Sequence, residues 1–582
     1  MESSITTALN PATLGRLAAR LENLYGAAGT DSLRQIVDAV EQFVARSPDE
    51  SYRGWDPSDV VLITYGDQVR EEGKPPLATL GQVLRERGLD QLLSTVHLLP
   101  FYPYSSDDGF SVIDYTAVNP DLGSWDDIAE LQKTSRLAFD LVLNHMSSQS
   151  EWFASYLRGE EPYARFFREA DPDDDLSAAV RPRSSPLLTP FETHRGTRHV
   201  WTTFSADQVD LNFAEPIVLV TMLEVLLEYV ARGAQIIRLD AIAFLWKESG
   251  TSCLHLWQTH EVVKLMRDIL SAVAPQVWLL TETNVPYQEN VSYFGTGDEA
   301  QLVYQFSLPP LLLDAFTHGD ATLLMRWLVG LEKNPSGTTF LNFTASHDGI
   351  GVRPLEGLVP EEQIGRLVSA MQERGGLVSS RRREDGVDVP YELNISYVDA
   401  LAPTNSTDTE LHARRFLATQ AVMLALQGIP AIYFHSLFGT QNDVQGAQLS
   451  GQSRRINRRK FHRHELDTQI DHPNSLSGRI YAGYRHLLRL RRKQSAFHPN
   501  AEQTPIDTGN PALISFLRFS ENSGQTVLVV ANVGSERVLL DVTKWLTGAK
   551  VQDLISGWEV PAAAQTDVLP GQACWLTGIE SG

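Results

Sequence analysis

Cysteine is scarce in this sequence, which has only Cys253 and Cys574 among its 582 residues. Two cysteines so far apart do not make the disulfide framework of a small secreted protein. No uninterrupted apolar run of about 18 residues is present, so no transmembrane helix is predicted. The N-terminal segment lacks a basic stretch followed by an apolar one, so no signal peptide is predicted. We therefore expect a cytoplasmic protein without a membrane partner.

Basic residues are in deficit, with 49 Lys and Arg against 72 Asp and Glu and a formal net charge of −23. Nucleic-acid binding depends on a basic surface, so the charge disfavours a nucleic-acid partner. An anionic ligand would need a local basic patch set against this overall field. Apolar residues, by contrast, make up 42% of the chain, with 11 Trp, 17 Tyr and 23 Phe. This composition is typical of a well-packed globular protein.

The chain is longer than one hydrophobic core usually organises, so we expect a main domain with accessories. Within residues 1–55, apolar residues recur at helical spacing on both sides of a Gly-containing turn, which predicts an N-terminal helical hairpin. From residue 59 onward, short apolar strands alternate with amphipathic helices. That alternation is typical of parallel βαβ units and predicts an α/β fold, a (β/α)8 TIM barrel.

Two stretches interrupt the alternation. Residues 149–215 are rich in Pro, Arg, Asp and Phe and predict an inserted domain, whereas the Gly- and Arg-rich residues 350–402 predict a long functional loop or subdomain. After residue 505 short strands replace the helical pattern, which predicts a C-terminal β-sandwich at residues 505–582. The barrel would then comprise residues 56–148, 216–349 and 403–504.

Four predicted strands end in polar residues, at the end where barrel enzymes keep their active sites. They are DLVLNH (Asp140, Asn144, His145), IIRLDA (Arg238, Asp240), LLTET (Glu282) and FTASHD (His347, Asp348). A single carboxylate at a strand end can instead cap the next helix, and a single His is often structural. Three carboxylates delivered to one rim, with an arginine two residues before the first, are harder to explain in that way.

Glycoside cleavage with retention of configuration needs such a set of groups. One carboxylate attacks the anomeric carbon while a second protonates the leaving oxygen. The attacking carboxylate must stay ionised, and a neighbouring cation such as Arg238 lowers its pKa. We predict Asp240 as the nucleophile and Glu282 as the general acid/base. No strong cluster of oxygen ligands for Ca²⁺ is evident, so neither a metal nor another cofactor is predicted.

The four segments resemble, in order, the conserved regions of the α-amylase superfamily, and QVDLN at residues 208–212 resembles a fifth. The resemblance runs from about residue 59 to the C-terminus. It implies that Asp348 is the third carboxylate, which binds sugar hydroxyls and favours the distorted transition state. It also implies supporting roles in the donor site for Arg238, His145 and His347.

Within the superfamily, the chain most resembles the sucrose phosphorylase group, through LITYGD, DGFSVIDY, LGSWDDIAEL and KESGTSC. The resemblance implies transfer of one glucosyl unit to inorganic phosphate as co-substrate. It implies that Asp107 fixes the 4-hydroxyl end of that unit and that Arg458 is its salt-bridge partner. Asp107 also lies in the strong turn sequence SSDDG, so a structural role stays open. Tyr65 and Phe153 are further substrate-binding candidates.

On the acceptor side, Arg198 in TRHVW and Tyr391 in YELN resemble residues of the sucrose phosphorylase acceptor site. Phosphate needs cationic or amide donors, which suits an arginine there. The run Arg381, Arg382 and Arg383 is a candidate for additional positive charge, although such a run is usually a solvated surface.

Other features resemble the glucosylglycerate phosphorylase branch of the group: the sequence TNVPY after Glu282, the N-terminal hairpin, and Glu392 after Tyr391. Glu392 would repel a carboxylated leaving group unless an arginine pairs with it. The branch implies a retaining enzyme that cleaves 2-O-α-glucosyl-D-glycerate with phosphate, giving α-glucose 1-phosphate and D-glycerate through a β-glucosyl-enzyme.

Several alternatives stay open at this point. Sucrose, sucrose 6′-phosphate and glucosylglycerol are other donors within the same group. An α-glucosidase that uses water, and an inactive carbohydrate-binding protein, are the remaining alternatives. We expect small-molecule partners only, and a monomer or a homodimer.

Overall fold

The computed structural model describes residues 9–44, 54–183, 185–382, 387–404, 406–563 and 565–579. At its centre, eight parallel strands form a closed barrel in which neighbours in space are neighbours in the chain. They are β1 Val61–Thr64, β2 Thr95–Leu98, β3 Arg136–Val142, β4 Ala234–Asp240, β5 Trp278–Thr281, β6 Leu302–Tyr304, β7 Thr339–Phe343 and β8 Ile429–Tyr433. Strand β8 pairs with β1 and closes the ring. The predicted (β/α)8 barrel is therefore confirmed.

The barrel strands are almost entirely buried, which explains their continuous apolar sequences such as VLIT and IPAIY. The longer helices of the barrel chain are Pro76–Glu86, Trp125–Gln132, Pro216–Ala231, Trp257–Val273, Leu308–His318, Thr322–Val329, Thr409–Ala425 and Leu476–Arg491. A further helix is Arg463–Asp471, and the shorter helices are Tyr287–Val291, Tyr397–Ala400, Phe434–Leu437 and Val444–Ser450. No helix in the described ranges is both long and apolar enough to cross a membrane.

The predicted N-terminal hairpin consists of helices Pro11–Tyr25 and Gly29–Val44. Asn10 caps the first helix by accepting a hydrogen bond from a backbone N–H, and a proline occupies the first turn. The hairpin packs on the outer layer of the barrel. Arg20 there forms ion pairs with Glu261 at 3.1 Å and Asp268 at 2.9 Å.

The two interruptions follow the carboxyl ends of β3 and β7. After β3, strand His145–Ser147 pairs with Gln208–Asp210, and between them lie helix Glu151–Arg158 and a hairpin of Leu188–Thr193 with Gly196–Trp201. After β7, strands Ile350–Gly351, Leu377–Arg382 and Asp388–Asn394 form a small antiparallel sheet beside helix Glu361–Glu373. Both segments therefore start at the rim where the polar strand ends lie. A separate short pair joins Val69–Arg70 to Phe461–His462.

The C-terminal region is a β domain, as predicted. Its main sheet is antiparallel and has six strands: Glu502–Pro505, Leu513–Phe519, Thr526–Asn532, Lys550–Asp553, Glu559–Pro561 and Ala573–Ile579. A two-stranded ribbon, Val538–Leu540 with Thr566–Val568, faces it. Leu528 and Val530 of the sheet share an apolar core with Leu540 and Val568 of the ribbon.

Candidate active site

The three predicted carboxylates line a single cavity at the carboxyl end of the barrel. Asp240 is the last residue of β4, and Glu282 directly follows β5. Asp348 lies in the loop that leaves β7. Because Thr281 of β5 pairs with Leu239 of β4, the residues that follow them, Glu282 and Asp240, lie side by side. The structure thus assembles the three groups that the strand ends indicated.

Arg238 joins the first two carboxylates. Its Nη1 lies 2.7 Å from Asp240 Oδ1, and its Nη2 lies 3.9 Å from Glu282 Oε2. The guanidinium also binds Asp140, which is buried and lies 2.7 Å from His97 Nε2. One buried cation is therefore shared by three carboxylates.

Burial raises the pKa of both Asp240 and Glu282, and the Arg238 guanidinium opposes this effect. Arg238 is closer to Asp240, so a single negative charge on the pair is more stable on Asp240. The proton then resides on Glu282. This distribution is the one that an ionised nucleophile and a protonated acid require.

The residue after Asp240 has an unusual backbone conformation. Ala241 has φ of +49°, in the left-handed region that non-glycine residues rarely adopt. In this conformation its N–H donates to Glu282 Oε2 at 3.1 Å. The strained turn thereby fixes the Glu282 carboxylate relative to Asp240.

Asp348 lies beside two arginines and the neutral ring of His347. Arg454 Nη1 is 2.7 Å from Asp348 Oδ1, His347 Nε2 is 3.4 Å from Oδ2, and Arg458 Nη2 is 3.7 Å from Oδ1. Burial alone would raise the pKa of Asp348, but these neighbours outweigh burial and hold it below its usual range. Asp348 therefore stays ionised.

The two predicted donor-site histidines line the same cavity. His145 Nε2 lies 3.0 Å from the carbonyl oxygen of Phe110 and 3.1 Å from the Gln208 amide nitrogen. The His347 ring stacks on the Phe110 ring with centroids 4.8 Å apart. Burial lowers the pKa of both histidines, so both are neutral at pH 7.

The predicted ion pair between Asp107 and Arg458 is present but long, and Arg458 has a closer carboxylate partner. Arg458 Nη1 binds Asp108 Oδ2 at 2.8 Å and is 4.0 Å from Asp107 Oδ1. Asp107 and Asp108 both have positive φ, of 52° and 48°, within a short 3₁₀ turn. This turn directs Asp107 into the cavity, where the Gln208 amide lies 3.4 Å from it, and leaves Asp108 as the closer partner of Arg458.

Two other donor-site candidates lie outside the cavity lining. Tyr65 lies behind His347, edge-on, with ring centroids 6.0 Å apart. Phe153 packs against Phe167 and Phe191 at centroid distances of 4.9 and 4.8 Å. Phe153 is buried because its helix turns this face toward the core of the inserted segment.

Of the acceptor-side candidates, some line the cavity and others lie outside it. Tyr391 and Glu392 line the cavity from strand Asp388–Asn394. Arg198 does not, because it lies on the outer hairpin, where it is 41% exposed and 4.0 Å from Glu169.

Within the described residues, the arginine run contributes no positive charge to the lining of the cavity. Arg381 pairs with Glu356 at 2.7 Å and does not line the cavity. The Arg382 side chain and all of Arg383 lie outside the described residues.

Sequence reasoning missed Arg454. It binds Glu392 through two hydrogen bonds, of 2.5 and 3.1 Å, and is also the closest cation to Asp348. It provides the arginine partner that Glu392 needed. Its sequence signal was its place four residues before Arg458 in SRRINR.

Two further arginines of the cavity were also missed. Arg183, in the inserted segment, lies over the Tyr391 ring at 5.7 Å from its centroid. Arg353, in the loop after Asp348, lines the same cavity. No periodic pattern marks either residue, because Arg183 is in an irregular segment and Arg353 begins a three-residue 3₁₀ helix.

A buried lysine binds two of the strand-end polar groups. Lys247 Nζ lies 2.8 Å from Asp210 and 2.5 Å from the Asn144 side-chain oxygen. Burial lowers the pKa of Lys247. Among the residues with described placement, no group of three His, Cys, Asp or Glu side chains could hold a metal. The expectation of no required metal stays a prediction.

Comparisons with known proteins agree with this geometry. Residues 89–339 match the alpha-amylase family, described as the alpha amylase catalytic domain. The glucosylglycerate phosphorylase of Escherichia coli (strain K12) is 44% identical, over 96% of this chain and 98% of that protein. The glucosylglycerate phosphorylase of Allomeiothermus silvanus is 50% identical, over 86% and 89%. The crystal structure of sucrose 6F-phosphate phosphorylase from Thermoanaerobacter thermosaccharolyticum superimposes with a TM-score of 0.71 at 26% identity, over 82% of this chain and 94% of that one.

Proposed function

The chain belongs to the alpha-amylase family, in the group of the glucosylglycerate phosphorylases, and we propose that it cleaves 2-O-α-glucosyl-D-glycerate with inorganic phosphate. The products are α-glucose 1-phosphate and D-glycerate. The observation that carries the proposal is one cavity that holds both the carboxylate pair and cations suited to anionic acceptors. Asp240 and Glu282 lie on one side of this cavity, and Arg183 and Arg353 also line it.

In the first half of the reaction, Asp240 attacks C1 of the glucosyl unit and the C1–oxygen bond to glycerate breaks. Glu282 gives its proton to the leaving oxygen. Glycerate therefore departs with a free 2-hydroxyl group and keeps its carboxylate. A β-glucosyl-enzyme ester remains. Asp348, ionised by its cationic neighbours, binds the sugar hydroxyls in the distorted transition state.

In the second half, an oxygen of phosphate attacks C1 from the face that glycerate left. Glu282, now a carboxylate, accepts the proton of the attacking phosphate hydroxyl, and the ester bond to Asp240 breaks. Two inversions give net retention. A narrow site that excludes water favours phosphate over hydrolysis.

The donor end of the cavity supports transfer of a single glucosyl unit. The Asp107–Asp108 turn and Phe110 close this end, and buried Arg458 lies behind the turn. Phosphate is an anion, and Arg183 is a cavity guanidinium with no ion pair to a described residue. These contacts favour phosphorolysis over a water-using α-glucosidase.

The test is a phosphorolysis assay with 2-O-α-glucosyl-D-glycerate, with sucrose, sucrose 6′-phosphate and glucosylglycerol run in parallel. We expect α-glucose 1-phosphate from the first donor at the highest kcat/KM, and no glucose 1-phosphate from Asp240→Asn. Release of glucose at the same rate without phosphate would instead identify a hydrolase. Preference for another donor would keep phosphorolysis and replace the leaving group.

We further propose that phosphate is the only co-substrate, with no metal or cofactor, and that the enzyme works in the cytoplasm. Both described cysteines, Cys253 and Cys574, are free and buried, which suits a reducing compartment. Full activity after dialysis against EDTA supports the first part. Recovery of the native protein in the cytoplasmic fraction supports the second.

A further inference from the structure

The arginines that line the active-site cavity differ in how far carboxylates neutralise them. There are four among the described residues: Arg183, Arg238, Arg353 and Arg454. Arg238 and Arg454 each contact two carboxylates at close range. Arg353 and Arg183 have no such contact, so they carry the charge that is available to an anionic ligand.

Arg353 is the one of these two arginines that lies beside the loop of Glu282. Its side chain is 11% exposed, and its nearest carboxylate oxygen is Oε2 of Glu289, 3.9 Å from Nη2. Its buried Nε has no hydrogen-bond partner. Glu289 is in turn held by His255 at 3.1 Å. Burying a guanidinium with an unpaired N–H donor costs free energy unless an anion accepts a hydrogen bond from it.

The loop that carries Arg353 packs against the loop that carries the acid/base. A Cβ atom at Gly351 would come within 2.4 Å of the Asn284 side-chain oxygen, so a larger residue there would displace the Asn284 side chain. Asn284 follows Glu282 by two residues. The N–H of Val352 also donates to the carbonyl oxygen of Tyr391 at 3.0 Å. Arg353 is therefore fixed on the acid/base side of the cavity.

The carboxylate of the proposed leaving group would lie on the same side of the cavity as Arg353. In 2-O-α-glucosyl-D-glycerate, the carboxyl carbon is bonded to the carbon that bears the glycosidic oxygen. Glu282 protonates that oxygen, so the carboxylate must lie close to the acid/base loop. We propose that Arg353 binds the carboxylate of the leaving acid and so selects glucosides of hydroxy acids over glucosides of neutral alcohols. This inference rests on the proposed function.

The test uses Arg353→Met and three donors. Glucosylglycerate carries the carboxylate, glucosylglycerol has the same carbon skeleton without it, and α-glucosyl fluoride has a one-atom leaving group. We expect kcat/KM for glucosylglycerate to fall by about 10- to 100-fold, the range for a lost charge-assisted hydrogen bond, mainly through KM. With the other two donors, kcat/KM should change by less than about 3-fold on the same scale. Arg353→Lys, which keeps a charge but loses the planar donors, should fall between wild type and Arg353→Met.

The matched control is Arg381→Met. Arg381 belongs to the same small sheet region, but its guanidinium pairs with Glu356 outside the cavity. This variant should keep the wild-type preference for glucosylglycerate over glucosylglycerol, which separates a local contact from a general loss of positive charge.

Three outcomes would overturn the inference. Equal losses on all three donors would make Arg353 a structural residue. A fall in kcat/KM for phosphate that is the same with every donor would make it a phosphate residue. An unchanged donor preference in Arg353→Met would show that another group binds the carboxylate. Failure of the proposed function is distinct from these, because the wild-type enzyme would then form no glucose 1-phosphate from glucosylglycerate.

Discussion

Arg454 holds Glu392 through two hydrogen bonds, of 2.5 and 3.1 Å, and the same guanidinium lies 2.7 Å from Asp348. Glu392 is 2% exposed, so this arginine rather than water is the partner of its carboxylate. The arginine therefore links Glu392, on the proposed acceptor side of the cavity, to Asp348, the proposed sugar-binding carboxylate. A change at the acceptor wall is therefore expected to alter the ionisation of the donor site.

Replacing Arg454 by methionine is expected to lower kcat/KM at least about 100-fold. The substitution leaves a buried carboxylate without its partner, which costs about 3–5 kcal/mol. It also removes the cation that most lowers the pKa of Asp348, so this pKa rises. Asp348 acts when ionised, and the acid limb of the pH–rate profile should therefore move to higher pH. Initial rates of phosphorolysis between pH 4 and 9 measure both effects.

The double variant Arg454→Met/Glu392→Gln is the control. The amide needs no cation, so the double variant should recover part of the activity and stability that the single variant loses. If single and double variants are equally impaired and the acid limb does not move, the coupling between Glu392 and Asp348 is wrong.

The N-terminal hairpin offers a matched pair of arginines. Arg20 is 15% exposed and forms ion pairs with both Glu261 and Asp268. Arg16 is 50% exposed and forms an ion pair with Asp268 at 2.7 Å and a hydrogen bond to Thr13 at 3.2 Å. We expect Arg20→Ala to lower the free energy of unfolding by about 2 kcal/mol and Arg16→Ala by less than about 1 kcal/mol, because exposed pairs are screened by water. Urea unfolding followed by tryptophan fluorescence compares them. Equal losses would mean that the hairpin is not anchored through Arg20.

Lys247 is expected to be a stability residue rather than a reacting group. Its ammonium group is the buried partner of Asp210 at 2.8 Å. Lys247→Met should cost about 3–5 kcal/mol, because Asp210 keeps a buried charge without its cation. Lys247→Met/Asp210→Asn should be more stable than the single variant. Thermal unfolding of both proteins tests this order, and a double variant no more stable than the single one would contradict it.

The barrel and its three carboxylates could be predicted from sequence because two strong constraints coincide. Alternation of buried strands with amphipathic helices fixes a parallel barrel, and a parallel barrel brings all strand carboxyl ends to one rim. Asp240 and Glu282 lie directly at such ends, so their place follows from the strands alone. Their short sequence contexts then distinguish a glycoside site from isolated helix caps.

The acceptor wall could not be predicted in the same way. Glu392 and Arg454 are 62 residues apart, on irregular or short elements without a period that would predict their contact. Arg198 was chosen because TRHVW resembles a known segment, but its strand pairs it with Phe191 in a hairpin that turns its guanidinium outward. Asp107 and Asp108 are adjacent, and only the left-handed turn decides which one reaches Arg458.

The pH dependence of the first half-reaction should report Glu282. Burial raises the pKa of this carboxyl, and the group must be protonated to release glycerate. As pH rises through that raised pKa the proton is lost, so kcat/KM for glucosylglycerate should fall on the basic side. In Glu282→Gln this basic limb should be absent when the donor is α-glucosyl fluoride, whose leaving group needs no proton. A limb that persists unchanged would assign it to another group.

Glu282→Gln also tests the stereochemical course. Without the acid, cleavage of glucosylglycerate should slow by about 10²- to 10⁴-fold, because glycerate leaves poorly without a proton. α-Glucosyl fluoride should still form the β-glucosyl-enzyme on Asp240, and added azide can attack it without a general base. Azide enters from the face that fluoride left, so the product should be α-glucosyl azide, identified by NMR. A β-glucosyl azide would mean direct displacement at C1, and Asp240 would then not be the nucleophile of a double displacement.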